Sequence, residues 1–275
     1  MVIAPTIDIV AGTITIVVLA VLAAKIRALD VSGAIAGALI SFATLLAGGL
    51  GWLAVIVAFV LISSVLTKYR YEYKQKLGSA QEKGGRRSWP NALANGLIGG
   101  VAAILELTTH QEIYAVFYVA SIAAAMSDTI ATEIGLLSNS KPRMIINPRK
   151  IALPGTSGAI SGLGEIAGLV SAIGIAGLGA LLNVDSGSHF HATYAFIAVA
   201  LSAFLAMNFD SLLGATVQGK NRCTVCGEST ENLRHHGVPT ISEKGTRLLD
   251  NNVVNLIATF VAALISVAMY LVLVS

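Results

Sequence analysis

The sequence predicts an all-α polytopic membrane protein of about eight transmembrane helices, and three observations carry that prediction. The 275 residues are 55% hydrophobic and only 12% charged, with a mean hydropathy of +0.76, where a soluble domain carries about 25% charged residues. Apolar windows of the length a span needs, roughly 17–25 residues, recur along the whole chain. All 18 Lys and Arg fall in alternate inter-helix loops. The 27 Gly and few aromatics suit closely packed membrane helices, in which small residues let backbones approach. Two Cys build no disulfide framework, and a net charge of +3 is no nucleic-acid footprint.

The windows run 7–24, 31–47, 50–66, 90–107, 113–137, 155–182, 192–214 and 251–274. The first lacks a basic leader and a small-residue cleavage site, so it reads as a retained span rather than a signal peptide. The second and third are short and separated by Gly48-Gly49-Leu50-Gly51, which allows a tight hairpin as well as two full spans. The fourth opens on Asn91 and Asn95, one helical turn apart and so on one face. The fifth carries Asp128 and Glu133, the sixth Glu165 and the seventh Asp210; the eighth opens on Asp250, Asn251, Asn252 and Asn255.

Charge orients these spans. The first loop holds Lys25 and Arg27, and the third (67–89) holds Lys68, Arg70, Lys74, Lys76, Lys83, Arg86 and Arg87. The fifth (138–154) holds Lys141, Arg143, Arg149 and Lys150, and the seventh (215–250) holds Lys220, Arg222, Arg234, Lys244 and Arg247. Basic loops face the cytoplasm, which places both termini outside. Residues 25–37 and 150–162 resemble one another, and the Asn91/Asn95 pair echoes Asn251/Asn255. Either two parallel four-helix repeats, 1–107 and 113–275, or chance likeness among Gly/Ala-rich helices accounts for this.

Ionisable and amide side chains within spans are costly and mark function by default. Asp128, Glu133, Asp210 and the five Asn all fall in the cytoplasmic half, so the candidate site faces the cytosol. The basic loop of Lys141, Arg143, Arg149 and Lys150 runs into Gly155-Thr156-Ser157-Gly158 at the expected start of the sixth helix. Free N–H groups and cations there suit a phosphate, although a capped helix behind a basic loop explains the same residues. With the carboxylates they compose a Mg²⁺–polyphosphate site; a structural network closing the bundle is the alternative. Cys223-x-x-Cys226 followed by His235 is compatible with Zn²⁺, with a redox pair, or with reduced, non-ligating thiols.

Several stretches together resemble one family: Arg87-Ser-Trp-Pro-Asn91 through Asn95-Gly96, Ser127-Asp128-Thr129 through Glu133-Ile-Gly135, and Pro154 to Gly158. Asp210-Ser211 through Gln218, the Cys223/Cys226/His235 segment and Leu249 through Asn255 continue the match. The chain is similar to the integral membrane family of domain of unknown function 92, which includes the chloroplast phytyl-phosphate kinase and transmembrane protein 19. Ser157 stands where Asn is common in that pattern, and His236 where Cys is common. The resemblance implies a phosphotransferase that adds a second phosphate to a phytyl- or geranylgeranyl-type monophosphate, a lipid-like substrate, with CTP or another nucleoside triphosphate as donor. It implies Mg²⁺ held by Asp128, Glu133 and Asp210, which are then the catalytic residues. Arg86, Arg87, Asn91, Asn95, Lys141, Arg143, Arg149, Lys150, Gly155, Thr156, Ser157, Gly158, Asn251 and Asn255 become contacts to phosphate, nucleotide or bound water. Without a transit peptide, the implied setting is a prokaryotic plasma membrane. A transporter, a membrane cytidylyltransferase and a structural subunit are the rival readings.

Overall fold

A computed structural model describes residues 6–77, 82–182, 191–227, 229–230, 234–235, 237–246 and 248–275. The long helices are α1 (Thr6–Lys25), α2 (Val31–Lys68), α5 (Trp89–Thr109), α6 (Ile113–Gly135), α7 (Gly162–Leu181), α8 (Ala192–Thr216) and α9 (Asn251–Val274). Two short helices, α3 (Tyr71–Lys76) and α4 (Glu82–Gly85), lie between α2 and α5. These seven long helices are apolar enough to cross a membrane.

The second and third expected spans are the two arms of α2. Thirty-eight helical residues would run about 57 Å if straight, against a hydrocarbon layer of about 30 Å. Instead the helix breaks at Gly48 and at Gly49, whose φ of 63° and ψ of −152° favour glycine. Its ends then meet: Lys68 Nζ donates to Arg27 O at 2.8 Å. Arg87 N donates to Ala28 O at 3.0 Å, while its Nη2 reaches Thr67 Oγ1 at 3.4 Å. The arms are therefore antiparallel, so among the described residues α2 is a hairpin that occupies the place of the second and third expected spans.

Helix α6 is the centre, packed by α2, α5, α7, α8 and α9. It is buried from Tyr118 to Ser127, and its Ala-rich surface lets five neighbours approach closely. Away from the basic loops, Tyr118 stacks on Trp52 at 4.4 Å between ring centroids and donates its hydroxyl to Trp52 O at 2.7 Å. That bond satisfies the phenol in an apolar core and pins the arm that follows the α2 break to α6.

The sixth expected span, 155–182, begins later than the sequence reading placed it. Residues Asn147–Ile151, Arg143–Met144 and Ala159–Ile160 form a three-stranded antiparallel sheet. The Gly155–Gly158 segment is the turn before its last strand, and α7 starts only after its cap Ser161, whose Oγ accepts from Gly164 N at 3.2 Å. Residues 25–37 and 150–162 therefore differ in conformation, one running into a helix and the other forming strand and turn. The Asn pairs do share a geometry. Asn95 Nδ2 donates to Asn91 O at 2.8 Å, and the Asn255 amide, oriented by its acceptors, donates to Asn251 O at 2.9 Å.

Contacts bring all four basic loops to one end. Lys68 ties the third loop to the first, Lys220 Nζ ties the seventh to the turn that follows the fifth through Ser157 O at 3.2 Å, and Arg87 and Gly155 line one cavity.

Candidate functional site

Each polar residue at that end is placed by a helix terminus or by a turn. Helix α5 begins beyond Ser88 with Pro90 in its first turn, which suits a position where the N–H has no helical partner. Asn91 and Asn95 follow on one face. Asp250 caps α9 through Val253 N at 2.9 Å, setting Asn251 and Asn255. Asp128 and Thr132 are four residues apart on α6, so they share a face, and Asp210 comes from α8.

These side chains enclose a polar cavity of about 180 Å³. Arg87, Asn91, Asn95, Asp128, Glu133 and Asp210 line it, as do Asn251, Asn255 and the Gly155–Gly158 turn. Asp210 Oδ2 accepts from the Asn255 amide at 3.1 Å. Asp128 makes no hydrogen bond among the described residues; the charge acting on it is Arg87. Asn95 Oδ1 is buried with no hydrogen-bond partner among the described residues. Burial lowers the Arg87 guanidinium from its ordinary value, and the carboxylates of Glu133 and Asp128 oppose that by favouring its charged form.

The turn is built around two glycines in the left-handed region, Gly155 at φ 76° and Gly158 at φ 79°. A Cβ on Gly158 would lie 2.5 Å from the Ala215 Cβ, and one on Gly214 would lie 2.8 Å from Ser157 Oγ. Small residues on α8 thus admit the turn. Ser157 Oγ anchors it by donating to Gln218 Oε1 at 2.8 Å, with Gly214 O a second acceptor at 3.1 Å. The backbone N–H groups of Gly155, Ser157 and Gly158 make no hydrogen bond among the described residues, so they are free to meet an anion.

The expected residues do not all converge. Lys141, Arg143, Arg149 and Lys150 are exposed and outside the cavity lining, and Arg143 Nη1 donates to Pro148 O at 2.7 Å. Arg86 is outside the lining too, so Arg87 alone among the expected basic residues reaches the cavity. Glu133 lines it, but its Oε2 is held by Lys74 Nζ at 2.6 Å. Cys223 is buried and Cys226 exposed, neither lines the cavity, and the His235 side chain lies outside the described residues. Among the described residues no group of three or more His, Cys, Asp or Glu is placed to hold a metal ion by itself.

Thr129, Thr132, Ser161, Glu165 and Gln218 also line the cavity. Thr132 was findable from its spacing to Asp128. Lys74 was not, because a Lys in a basic loop reads as a solvated charge.

The integral membrane protein DUF92 family model matches residues 14–263. An uncharacterized membrane protein of Methanocaldococcus jannaschii is 33% identical over 93% of this chain and 91% of its own length. Protein PGR of Arabidopsis thaliana is 28% identical over 90% of this chain and 92% of its own. The chloroplastic Protein VTE6 of the same plant is 26% identical, covering 89% of this chain and 66% of the longer relative. No solved structure matches the chain. With a match over nearly its full length, the chain belongs to the DUF92 family of integral membrane proteins.

Proposed function

We propose that the protein is a nucleoside triphosphate-dependent prenyl-phosphate kinase, converting a phytyl- or geranylgeranyl-type monophosphate to the diphosphate, with CTP the leading donor. The observation that carries this reading is the polar cavity at the basic end of an otherwise apolar bundle. A prenyl chain belongs in bilayer, its phosphate at headgroup level and the nucleotide in water, and only a site at one end of the spans serves all three. By the positive-inside rule that end faces the cytosol. The family resemblance supplies the reaction type.

The chain's own residues divide the work. Arg87 and the free N–H groups of the Gly155–Gly158 turn bind phosphate oxygens. Asn91 and Asn251 orient them. Phosphoryl transfer needs positioning and charge neutralisation rather than a protein nucleophile: an oxygen of the prenyl monophosphate bonds to the γ-phosphorus as the β–γ bridging bond breaks, and the nucleoside diphosphate leaves. Beside the Lys74-paired Glu133, Asp128, Asp210 and Glu165 add further carboxyl groups to this cavity, which calls for a cation. Mg²⁺ is commonly held by one or two carboxylates together with substrate phosphates, and Asp128, Asp210 and the Asn95 Oδ1, buried with no hydrogen-bond partner among the described residues, fit that role. When bound, the ion neutralises charge developing on the transferred group. The exposed cations of residues 141–150 attract the nucleotide from outside.

The test is incubation of purified protein with geranylgeranyl monophosphate, Mg²⁺ and CTP labelled at either the α or the γ position. Transfer of γ label into a prenyl diphosphate is the expected result. Appearance of α label in the lipid would identify a cytidylyltransferase, and no labelled lipid with CTP, UTP or ATP would overturn the kinase reading.

A further inference from the structure

Arg87, Asn91 and Asn95 line a second cavity as well as the polar one. It measures about 300 Å³ and lies between α1, the two arms of α2 and the start of α5. Apart from those three residues and two serines, its lining is entirely apolar. It reaches inward to Ile16, Ile40 and Ile56, all buried. Ile40 lies ten residues beyond Asp30, about 15 Å along the helix, or half the hydrocarbon layer. The space is held open by small residues. At Gly37, a Cβ would meet nothing within 4 Å.

From these shared lining residues we infer that the second cavity takes the hydrocarbon chain of an isoprenoid monophosphate, with the phosphate at Arg87, Asn91 and Asn95. The inference rests on the kinase reading for its choice of head group, and it adds where the chain lies and what limits its length. A phosphate at the junction has a guanidinium and two amides beside it. The first isoprene units then run between α1 and α2 toward Ile40, packed against the apolar side chains that line the cavity. The isoleucines at the inner end make chain length a property of α1 and α2 rather than of the catalytic carboxylates.

The test reads position without requiring transfer. Protein in phosphatidylcholine nanodiscs is photolysed with geranylgeranyl monophosphate bearing a terminal diazirine. Label is expected on peptides covering residues 16–23, 37–41 and 56–64. The corresponding diazirine alcohol is expected to label them far less. Equal labelling by the alcohol would mean that the cavity takes bulk lipid, and label confined to α7–α9 would place the chain elsewhere; either overturns the inference. Gly37→Phe fills the space and displaces the tail, so most of the label on these peptides is expected to be lost. Gly174→Phe, where a Cβ also meets nothing but which lines neither cavity, leaves labelling within about twofold. Unchanged labelling in Gly37→Phe sinks the tail site. Correct labelling without γ-phosphoryl transfer by the wild type sinks the kinase reading and leaves the tail site standing.

Discussion

Lys74 and Glu133 form a buried ion pair, with Nζ 2.6 Å from Oε2 and side-chain exposures of 1% and 4%. Lys74 Nζ also donates to Leu66 O at 2.7 Å, so a cation from the loop helix α3 closes over the end of α6. Breaking such a pair leaves a buried charge without its partner, which costs about 3–5 kcal/mol. Lys74→Met is therefore expected to lower thermal stability in detergent sharply, and Lys74→Met/Glu133→Leu to recover much of the loss. Two single variants as stable as wild type would show that the pair is not closed in the folded protein.

Asp128 differs in having no hydrogen bond to lose among the described residues. Asp128→Asn removes charge from a crowded cavity but also a carboxylate that favours the charged form of Arg87, so stability is expected to change little. Asp210→Asn keeps an acceptor for the Asn255 amide. Both variants are expected to lose at least about 10²-fold in phosphoryl transfer, the scale of removing one electrostatic contributor from a reaction site. Folded variants with near-normal turnover would remove these carboxylates from the chemistry.

The Gly155–Gly158 turn predicts a different pattern. Gly158→Ala forces a side chain into the left-handed region, which costs about 1–2 kcal/mol, and drives its Cβ against Ala215. Gly214→Ala pushes against Ser157 Oγ and displaces the same turn from the other side. Both are expected to raise the KM for nucleotide more than they lower kcat, as initial-rate assays over a range of CTP would show. Gly174→Ala, with no neighbour to meet, serves as the control and should match wild type.

Much of this fold was legible because membrane burial writes itself into composition. Apolar windows and the alternation of basic loops gave the helices to within a few residues, and Gly48-Gly49 marked the α2 break. The start of α7 was misread because residues 155–161 carry a capping pattern, while their actual partners, Arg143–Met144 and the end of α8, come from elsewhere in the chain. A small sheet depends on such pairings, and helical periodicity is silent about them. The carboxylates and paired asparagines were legible as polar groups in expensive places. Which basic residues reach them was not, since all the cations share the same loops and only the folded path of residues 84–88 carries Arg87 inward.

That path yields the last prediction. Arg87 is held by backbone bonds to Ala28 O and from Asp30 N, and it lines both cavities, whereas Lys141, Arg143, Arg149 and Lys150 stand exposed. Exposed charges act over a distance of about 8 Å at physiological salt and chiefly alter encounter rates. Neutralising all four is therefore expected to raise the KM for nucleotide at low salt, to flatten its salt dependence, and to leave kcat nearly unchanged. Arg87→Lys keeps the charge but loses the planar fork that meets two phosphate oxygens at once, so it should lower kcat at every salt concentration. If the fourfold variant lost kcat while Arg87→Lys did not, the phosphates would lie on the exposed loop and outside the cavity.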